Sequence, residues 1–247
     1  MKRIAIIGAT SAIAENCARL WVQVEPANLV LVGRSEERLA RVANDLKVRS
    51  PESEIQILES DFLDAAAVKS TVESLWSAAP VDIVLIAHGY LPTQSDCQEN
   101  LAECRNALEI NAISPVLFAE AFADQMEKVN QGAIAIIGSV AGDRGRKSNY
   151  VYGSAKGLVD RYAQGLQHRF AGTNLRVTLV KPGPTDTPMT AHLKAEGAKL
   201  ASVETVAAQI VNAIAKGSPV VYSPTKWQLI MAIIRNLPAP IFNKLNI

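Results

Sequence analysis

The stretch SVAGDRGRKSNYVYGSAK, residues 139–156, decides how the rest of the chain is interpreted. It follows the apolar run Ala133–Ile137, which predicts a buried strand, and it leads into a segment with helical character. Tyr152 and Lys156 are four residues apart, so a helix would place them on one face and within reach of each other. Tyr150 is six residues from the lysine and is expected to point elsewhere.

A tyrosine beside a lysine on one helix face points to acid–base chemistry. A phenol has a pKa of about 10, and an ammonium group nearby favours the phenolate and brings that pKa towards the working range. An exposed tyrosine and lysine without a function would be the usual interpretation of this spacing. Ser139 changes it, because a hydroxyl at the end of the preceding strand would hold a carbonyl oxygen in line with the phenol.

The composition is that of an ordinary folded chain. Its 247 residues suffice for one α/β domain, and a net charge of +1 argues against electrostatic binding to nucleic acid. Cys17, Cys97 and Cys104 lack CxxC spacing, which fits a reducing cytoplasm, and the scattered histidines predict no metal site. The first apolar run stops at Gly8, too early for a secretory signal, and no run reaches the roughly 18 residues of a spanning helix.

Strand-like and helix-like segments alternate along the chain. The predicted strands are Arg3–Ile7, Asn28–Val32, Glu54–Leu58, Asp82–Ala87, Ala133–Ile137 and Arg176–Lys181. The predicted helices are Ile13–Val22, Glu36–Arg49, Ala65–Ala78, Ala107–Val129 and Tyr152–Ala171. This alternation predicts an α/β fold with a doubly wound parallel sheet and helices on both of its faces. No domain boundary is apparent, so we expect one domain over residues 1–247.

The pattern SV followed by YGSAK, with its surroundings, resembles the short-chain dehydrogenase/reductase family over nearly the whole chain. The resemblance implies a Rossmann fold and an NAD(P)(H)-dependent oxidoreductase that reduces a ketone to a secondary alcohol, or the reverse, by hydride transfer. It also implies a catalytic tetrad. Asn111 would hold a water that links the lysine to solvent, and Ser139 would bind the substrate carbonyl oxygen. Tyr152 would exchange the proton, while Lys156 would lower the tyrosine's pKa and bind the nicotinamide ribose.

The cofactor is expected at the turn GATSAIA, residues 8–14, where a pyrophosphate would rest on backbone amides at a helix N-terminus. Relatives usually carry TGxxxGIG there, so Ala12 and Ala14 replace two glycines. Arg34 follows the second strand where an acidic residue would bind the ribose of NAD, which favours NADP(H) over NAD(H). Alternatively, Arg34 only stacks on the adenine or faces water.

The other cofactor positions follow later strands. Asp61-Phe62 matches the adenine side, although Asp61 or Asp64 would equally serve as a helix N-cap. His88 stands where relatives carry an asparagine, which puts that side-chain contact in doubt. By resemblance, the cofactor-binding residues are Gly8, Thr10, Ser11, Ala12, Ile13, Arg34, Asp61, Phe62, Ala87, His88, Gly89, Tyr152, Lys156, Pro182, Gly183, Thr185 and Thr187.

Three features resemble one branch of the family, the ketoreductases of the decaprenylphosphoryl-ribose 2-epimerase system, which reduce a lipid-linked 2-keto pentose. They are GATSAIA, the segment 139–156 and a tail containing PAPIFNKL. The basic residues Arg144, Arg146 and Lys147 would then receive the phosphate that links sugar to lipid. The alternative is a solvated run of charges.

The tail Trp227–Ile247 is strongly apolar but is broken by Pro238 and Pro240. It would lie on a membrane or hold a polyprenyl chain, or else form a substrate cap or a subunit contact in a homodimer or homotetramer. We expect a cytoplasmic protein, with the tail as the segment that would contact the inner face of the membrane. Two other functions stay open: a general ketoreductase of a soluble metabolite, and a dinucleotide-binding regulator without turnover.

Overall fold

The first strand, β1 (Arg3–Ile7), is buried along its whole length. Ile4 and Ile6 pack into the core on one face of the sheet, and Ala5 and Ile7 pack into the core on the other. Successive side chains of a strand point to opposite faces, so a strand that is apolar throughout belongs in the middle of a sheet covered on both sides. The computed structural model, which describes residues 1–245, places β1 there.

All strand pairs in the sheet are parallel, and the strand order is β3-β2-β1-β4-β5-β6-β7. The chain moves outward in one direction from β1 to β3 and then returns to the other side of β1 with β4. This reversal opens a crevice at the carboxyl ends of β1 and β4, where folds of this kind bind ligands. After β1, the strands are β2 Asn28–Gly33, β3 Glu54–Glu59, β4 Ile83–Ile86, β5 Gly132–Ile137, β6 Leu175–Pro182 and β7 Val220–Ser223.

Helices cover both faces of the sheet, which confirms the predicted doubly wound fold. Side chains of α1, α2 and α9 pack into one core, and those of α3, α6 and α7 pack into the other. The helices are α1 Ala12–Val24, α2 Glu36–Arg49, α3 Ala65–Ala78, α4 Gln94–Glu99, α5 Leu101–Leu108, α6 Ser114–Val129, α7 Tyr150–Arg169, α8 Ala191–Ala195, α9 Val203–Lys216, α10 Lys226–Asn236 and α11 Ala239–Phe242. None of these helices within residues 1–245 is long and apolar enough to cross a membrane.

The structure differs from the sequence-based expectation in three places. Helices α8 and α9, between β6 and β7, were not predicted. The predicted helix Ala107–Val129 is interrupted by a π-helical turn, Glu109–Ile113, so that α5 and α6 are separate helices. At that turn Asn111 Nδ2 donates to the Ala107 carbonyl at 3.0 Å. The edge strand β7 was not predicted, because it has only four residues and Val220 is exposed, which leaves little apolar pattern to detect.

Gly8 ends β1 in a conformation and a space that favour glycine. Its φ is +81°, and an added Cβ would lie 2.7 Å from the backbone nitrogen of His88 at the end of β4. Gly172 has nearly the same φ, +82°, but nothing lies within 4 Å of its Cβ position. A comparison of the two glycines therefore separates the effect of the positive φ, which both have, from the effect of the close contact with His88, which only Gly8 has.

We expect Gly8→Ala to lower the free energy of unfolding by about 2 to 4 kcal/mol, the sum of left-handed backbone strain and overpacking against His88. Gly172→Ala should cost only the strain, about 1 to 2 kcal/mol. Urea unfolding without cofactor measures both. Equal losses in the two variants would contradict the close approach of β1 and β4.

Candidate active site

Two cavities meet at the carboxyl ends of the parallel strands and form one cleft. The first has a volume of about 270 Å³ and extends from the β1–α1 turn towards the end of β2. The second, of about 310 Å³, extends from the same turn to Tyr152 and the loop after β6. We call them the β2 cavity and the Tyr152 cavity. Both are lined by Ser11, Ile13, Ala87, His88, Gly89, Thr187 and Met189.

The β2 cavity brings together most of the residues that the sequence assigned to the cofactor. Asp61 does not line it. That carboxylate is exposed and accepts a hydrogen bond from the Leu63 amide at 2.9 Å, whereas Asp64 caps α3 through the Ala67 amide. The predicted residues that line this cavity are Gly8, Thr10, Ser11, Ala12, Ile13, Arg34, Phe62, Ala87, His88, Gly89 and Thr187.

The N-terminus of α1 opens into this cleft. Ser11 is the N-cap residue, with an extended backbone, and its hydroxyl makes no capping hydrogen bond. The amides of the first turn of a helix have no partners within the helix, and together with the helix dipole they favour an anion. Ala14 is fully buried in the core beneath the turn, so an alanine fits where relatives have glycine.

Arg34 and Arg38 line the far end of the β2 cavity, and both are exposed. Arg38 was missed from the sequence, because it lies inside α2 and only the turn of the helix brings it beside Arg34. The acidic pair Glu36 and Glu37, which begins α2, does not line the cavity. This end of the cleft is therefore positively charged.

His88 is a neutral, half-buried imidazole that packs among aromatic rings. Its Nε2 is 2.8 Å from Ser114 Oγ, and its ring packs edge-on against Phe62 and Phe118. Burial, with smaller contributions from Lys156 and Arg34, lowers the pKa of His88 to about 3. Its Nδ1 is buried and has no hydrogen-bond partner among the described residues. The imidazole thus lines both cavities while one of its nitrogens stays buried and unpaired.

The Tyr152 cavity brings the predicted tetrad together. Ser139 caps the 3₁₀ turn Val140–Asp143, since its Oγ accepts from the Ala141 amide at 3.1 Å. Lys156 is 3% exposed, and its Nζ donates to the Ile137 carbonyl at 2.9 Å. Asn111 is fully buried, and its Oδ1 accepts from the Tyr90 amide at 3.0 Å.

The π-helical turn and Gly89 bring Asn111 to the lysine. A Cβ built on Gly89 would lie 2.8 Å from Asn111 Oδ1 and 3.7 Å from Lys156 Nζ, so both polar groups approach the same backbone position after β4. The loop after β6 closes the cavity with Pro182, Gly183 and Thr185. Tyr150 does not line the cavity, and its hydroxyl accepts from Gln98 Nε2 at 2.9 Å.

The pKa of Tyr152 differs from the sequence-based expectation. Burial of the phenol raises its pKa above the usual value, and a hydrogen bond with Ser139 partly offsets that effect. Burial also lowers the pKa of Lys156 to about 8, and Asp160 opposes the shift. Lys156 Nζ lies 5.8 Å from the centre of the Tyr152 ring, so the lysine is a neighbour and not a direct partner of the phenol. In this state Tyr152 is a protonated acid.

The basic segment also differs from expectation, because its three cations have three different environments. Arg144 Nη1 donates to the carbonyls of Ile234 and Leu237, both at 2.6 Å, and its guanidinium lies 3.8 Å from the Phe242 ring centre. Arg144 is thus committed to the C-terminal tail. Lys147 is exposed and does not line the cavity.

Arg146 alone of the three lines the Tyr152 cavity. Its Nε is buried and has no hydrogen-bond partner among the described residues, and the same holds for Oδ1 of Asn149 beside it. Burial lowers the pKa of Arg146, but a guanidinium remains charged across the accessible pH range. The cavity therefore contains a desolvated cation with an available donor.

The described part of the tail forms α10 and α11 at the rim of the cleft. Trp227 packs on Gly183, where a Cβ would lie only 1.9 Å from the indole nitrogen. Leu229, Ile233 and Ile241 are 70%, 57% and 52% exposed, so much of the apolar surface of these helices is uncovered. The predicted tail ends at residue 247, and its last two residues lie outside the described part of the chain.

The fold defines the class of protein to which the chain belongs, a doubly wound α/β domain with its cleft at the carboxyl ends of the strands. The family model for short chain dehydrogenases matches residues 2–198. The chain belongs to this family of oxidoreductases.

Similarity to individual relatives extends over the whole length of the chain. An uncharacterized oxidoreductase of Streptomyces coelicolor is 27% identical over 99% of this chain and 96% of its own length. One from Mycobacterium tuberculosis is 28% identical over 98% of this chain and 96% of its own. A short-chain dehydrogenase from Sphingobium yanoikuyae in complex with NADPH superimposes with a TM-score of 0.83 at 21% identity, covering 100% of this chain and 97% of that one.

Proposed function

We propose that the protein uses NADP(H) to interconvert a ketone and a secondary alcohol by hydride transfer. The observation that carries this proposal is the convergence of Asn111, Ser139, Tyr152 and Lys156 on one cavity that continues into a cleft suited to a dinucleotide. When bound, the nicotinamide supplies or accepts the hydride.

The residues of the cleft fit a dinucleotide. The unpartnered first-turn amides of α1, with Thr10 and Ser11, would hold a pyrophosphate next to Gly8. Ala87, His88 and Gly89 would line the path of the cofactor, and Phe62 would contact the adenine side. Tyr152 and Lys156, with Pro182, Gly183, Thr185 and Thr187, would hold the nicotinamide end. Asp61, although predicted for the adenine, would have to leave the Leu63 amide to reach it.

The residues of the Tyr152 cavity divide the work of a carbonyl reduction. Ser139 donates a hydrogen bond to the carbonyl oxygen, which fixes its position beside the phenol. Tyr152 gives its proton to that oxygen, and its raised pKa keeps the proton in place until the oxygen becomes basic. Lys156 supplies positive charge behind the tyrosine, and Asn111, whose Oδ1 approaches the same backbone position as the lysine, would hold a water through which the lysine exchanges its proton with solvent.

Arg146 supports an anionic substrate. Arg146 lines the cavity that contains Ser139 and Tyr152, and its buried Nε has no hydrogen-bond partner among the described residues. A phosphate or carboxylate bound in the cavity would pair with this guanidinium. The motif likeness to ketoreductases of lipid-linked 2-keto pentoses therefore rests on Arg146 and not on Arg144 or Lys147. In the same proposal, the exposed apolar residues of α10 and α11 contact the lipid chain or the inner face of the membrane. The runner-up is a reductase of a soluble ketone, whose tail forms a subunit contact instead.

We expect Tyr152→Phe to reduce kcat by about 10²- to 10⁴-fold, because the proton donor is lost while the fold is kept. The dissociation constant for NADPH should change by less than about threefold, since the hydroxyl contributes at most one neutral hydrogen bond to it. NADPH oxidation in a ketone panel measures the first quantity, and fluorescence titration measures the second. Tyr150→Phe is the control and should match the parent. Cofactor binding without turnover in the parent would support the regulator instead.

The cofactor preference is tested at the basic end of the β2 cavity. Arg34→Ala and Arg38→Ala should each raise KM for NADPH about 10- to 100-fold, the loss of one charge-assisted phosphate contact, and should leave KM for NADH nearly unchanged. Arg41→Ala, an exposed arginine of α2 that does not line this cavity, is the control. Equal use of both cofactors by the parent would overturn the preference.

The substrate class is tested at Arg146. Arg146→Gln should raise KM for a polyprenyl-phosphoryl 2-keto pentose in detergent by at least about tenfold, because a charge-assisted hydrogen bond is lost. The KM for a neutral ketone should stay within about twofold. Lys147→Gln is the control and should match the parent on both substrates. An equal effect of Arg146→Gln on the KM of both substrates would favour the runner-up function, a reductase of a soluble ketone.

A further inference from the structure

A buried group of four charged or polar side chains lies behind the tetrad, and the mechanism above does not use it. Lys181, in β6, is 4% exposed and forms ion pairs with Asp143 and Asp160, each at 2.5 Å. Tyr222, in β7, donates a hydrogen bond to the second oxygen of Asp143 at 2.8 Å. The group ties together β6, β7, the 3₁₀ turn and α7. A buried ion pair contributes little net stability, so its position is more informative than its strength.

Asp160 lies one helical turn after Lys156 on α7, so the two side chains share a face of the helix. Both are buried, at 5% and 3% exposure. Lys156 Nζ is bound to the carbonyl of Ile137, and Asp160 Oδ1 lies 3.2 Å from the Cβ position of Gly138. The ammonium and the carboxylate therefore approach consecutive residues at the end of β5.

The two oxygens of Asp160 have different partners. Oδ2 is bound to Lys181, whereas Oδ1 is buried and has no hydrogen-bond donor among the described residues. An unpaired carboxylate oxygen is costly in a protein interior and calls for a functional explanation. Oδ1 lies near Gly138, next to the residue whose carbonyl binds Lys156, so its negative charge acts on the ammonium group of that lysine.

We propose that Asp160 is a positioning residue that keeps Lys156 charged during the reaction, with Lys181 holding the carboxylate in place. The inference rests on the proposed function, because it assigns a task to the same lysine. Burial removes Lys156 from water and favours its neutral form, and Asp160 is the charged group that opposes this effect.

The charged and titratable groups around the pair support this assignment. On the cleft side, Lys156 faces neutral His88, the Tyr152 phenol and the Asn111 amide, none of which is an anion at neutral pH. On the inner side, Asp160 faces Lys181, with Asp143 and Tyr222 beyond it. Burial raises the pKa of Asp160 to about 6, so the carboxylate is ionised at neutral pH.

The direction of the pH effect follows from these positions. In the reductive direction Lys156 must be protonated, so activity should fall as pH rises through the pKa of the lysine, about 8. Removing the charge of Asp160 lowers the pKa of Lys156 further, and the alkaline limb then moves to lower pH. Below about pH 6 Asp160 takes up a proton, but Lys156 stays protonated there without it, so this titration should not limit reduction.

The test compares Asp160→Asn with Asp143→Asn, because each removes one of the two carboxylates that bind Lys181. The alkaline limb of kcat/KM for NADPH-dependent ketone reduction should shift by about 0.5 to 1 pH unit towards acid in Asp160→Asn. It should stay at the parent position in Asp143→Asn and in the charge-conserving Asp160→Glu. Thermal unfolding of both asparagine variants measures the loss of stability that follows from removing one carboxylate partner of Lys181.

A second measurement does not depend on turnover. The side-chain ¹⁵N resonance of Lys156 should titrate at lower pH in Asp160→Asn than in the parent and in Asp143→Asn. The ¹³C carboxyl resonance of Asp160 in the parent should show an ionised group at pH 7.5. This measurement needs no variant, so it can be made even if Asp160→Asn does not fold. A protonated Asp160 at that pH, or equal shifts in the two asparagine variants, overturns the inference. If the parent reduces no ketone but the NMR titrations are as expected, only the proposed function is overturned.

Discussion

The site depends on how closely the 3₁₀ turn after β5 packs against the backbone of α7. A Cβ on Gly142 would lie 2.8 to 2.9 Å from backbone atoms of Lys156 and Gly157, and one on Gly153 would lie 3.0 Å from the carbonyl oxygen of Ala141. Any larger residue at either position would push the turn and the helix apart. Because Ser139 begins the turn, and Tyr152 and Lys156 lie on the helix, this contact sets the relative positions of all three side chains.

Most of the buried polar groups around this contact have hydrogen-bond partners. Lys156 is bound to the end of β5, Asn111 to the Ala107 carbonyl of α5 and to the Tyr90 amide, and Lys181 to two carboxylates. Each of these partners restricts one side chain near the cavity to a single orientation. Among the described residues, the unpaired atoms around the cavity or directly behind it are Nδ1 of His88, Nε of Arg146, Oδ1 of Asn149 and Oδ1 of Asp160, and two others, on Asn28 and Gln94, belong to residues that do not line it. Unsatisfied atoms in such places carry the strongest functional information in the structure.

The C-terminal helices belong to the site more closely than the sequence suggested. Arg144 binds the carbonyls at the end of α10, and Trp227 at its start packs on Gly183 in the loop after β6. The tail thus contacts both the turn that follows Ser139 and the loop that closes the Tyr152 cavity. The resemblance favoured a phosphate for Arg144, with a solvated charge as the alternative, and the structure shows neither, because a run of cations does not reveal which of them finds carbonyl oxygens nearby.

The sequence by itself determined the order of the strands and helices from β1 to β6, since the apolar runs and helical periods depend on contacts within one element. It also predicted the doubly wound sheet. The spacing of Ser139, Tyr152 and Lys156 is local information, whereas Asn111 was assigned only through the family resemblance. The sequence missed α8, α9, β7, the π-helical turn, Arg38 beside Arg34 and the link between Asp160 and Lys181. The pairing of Lys181 with Asp143 joins residues 38 positions apart, and the contacts of Arg144 with α10 join residues about 90 apart. Only the tertiary structure decided these, because burial and the choice among charged partners depend on which elements meet in space.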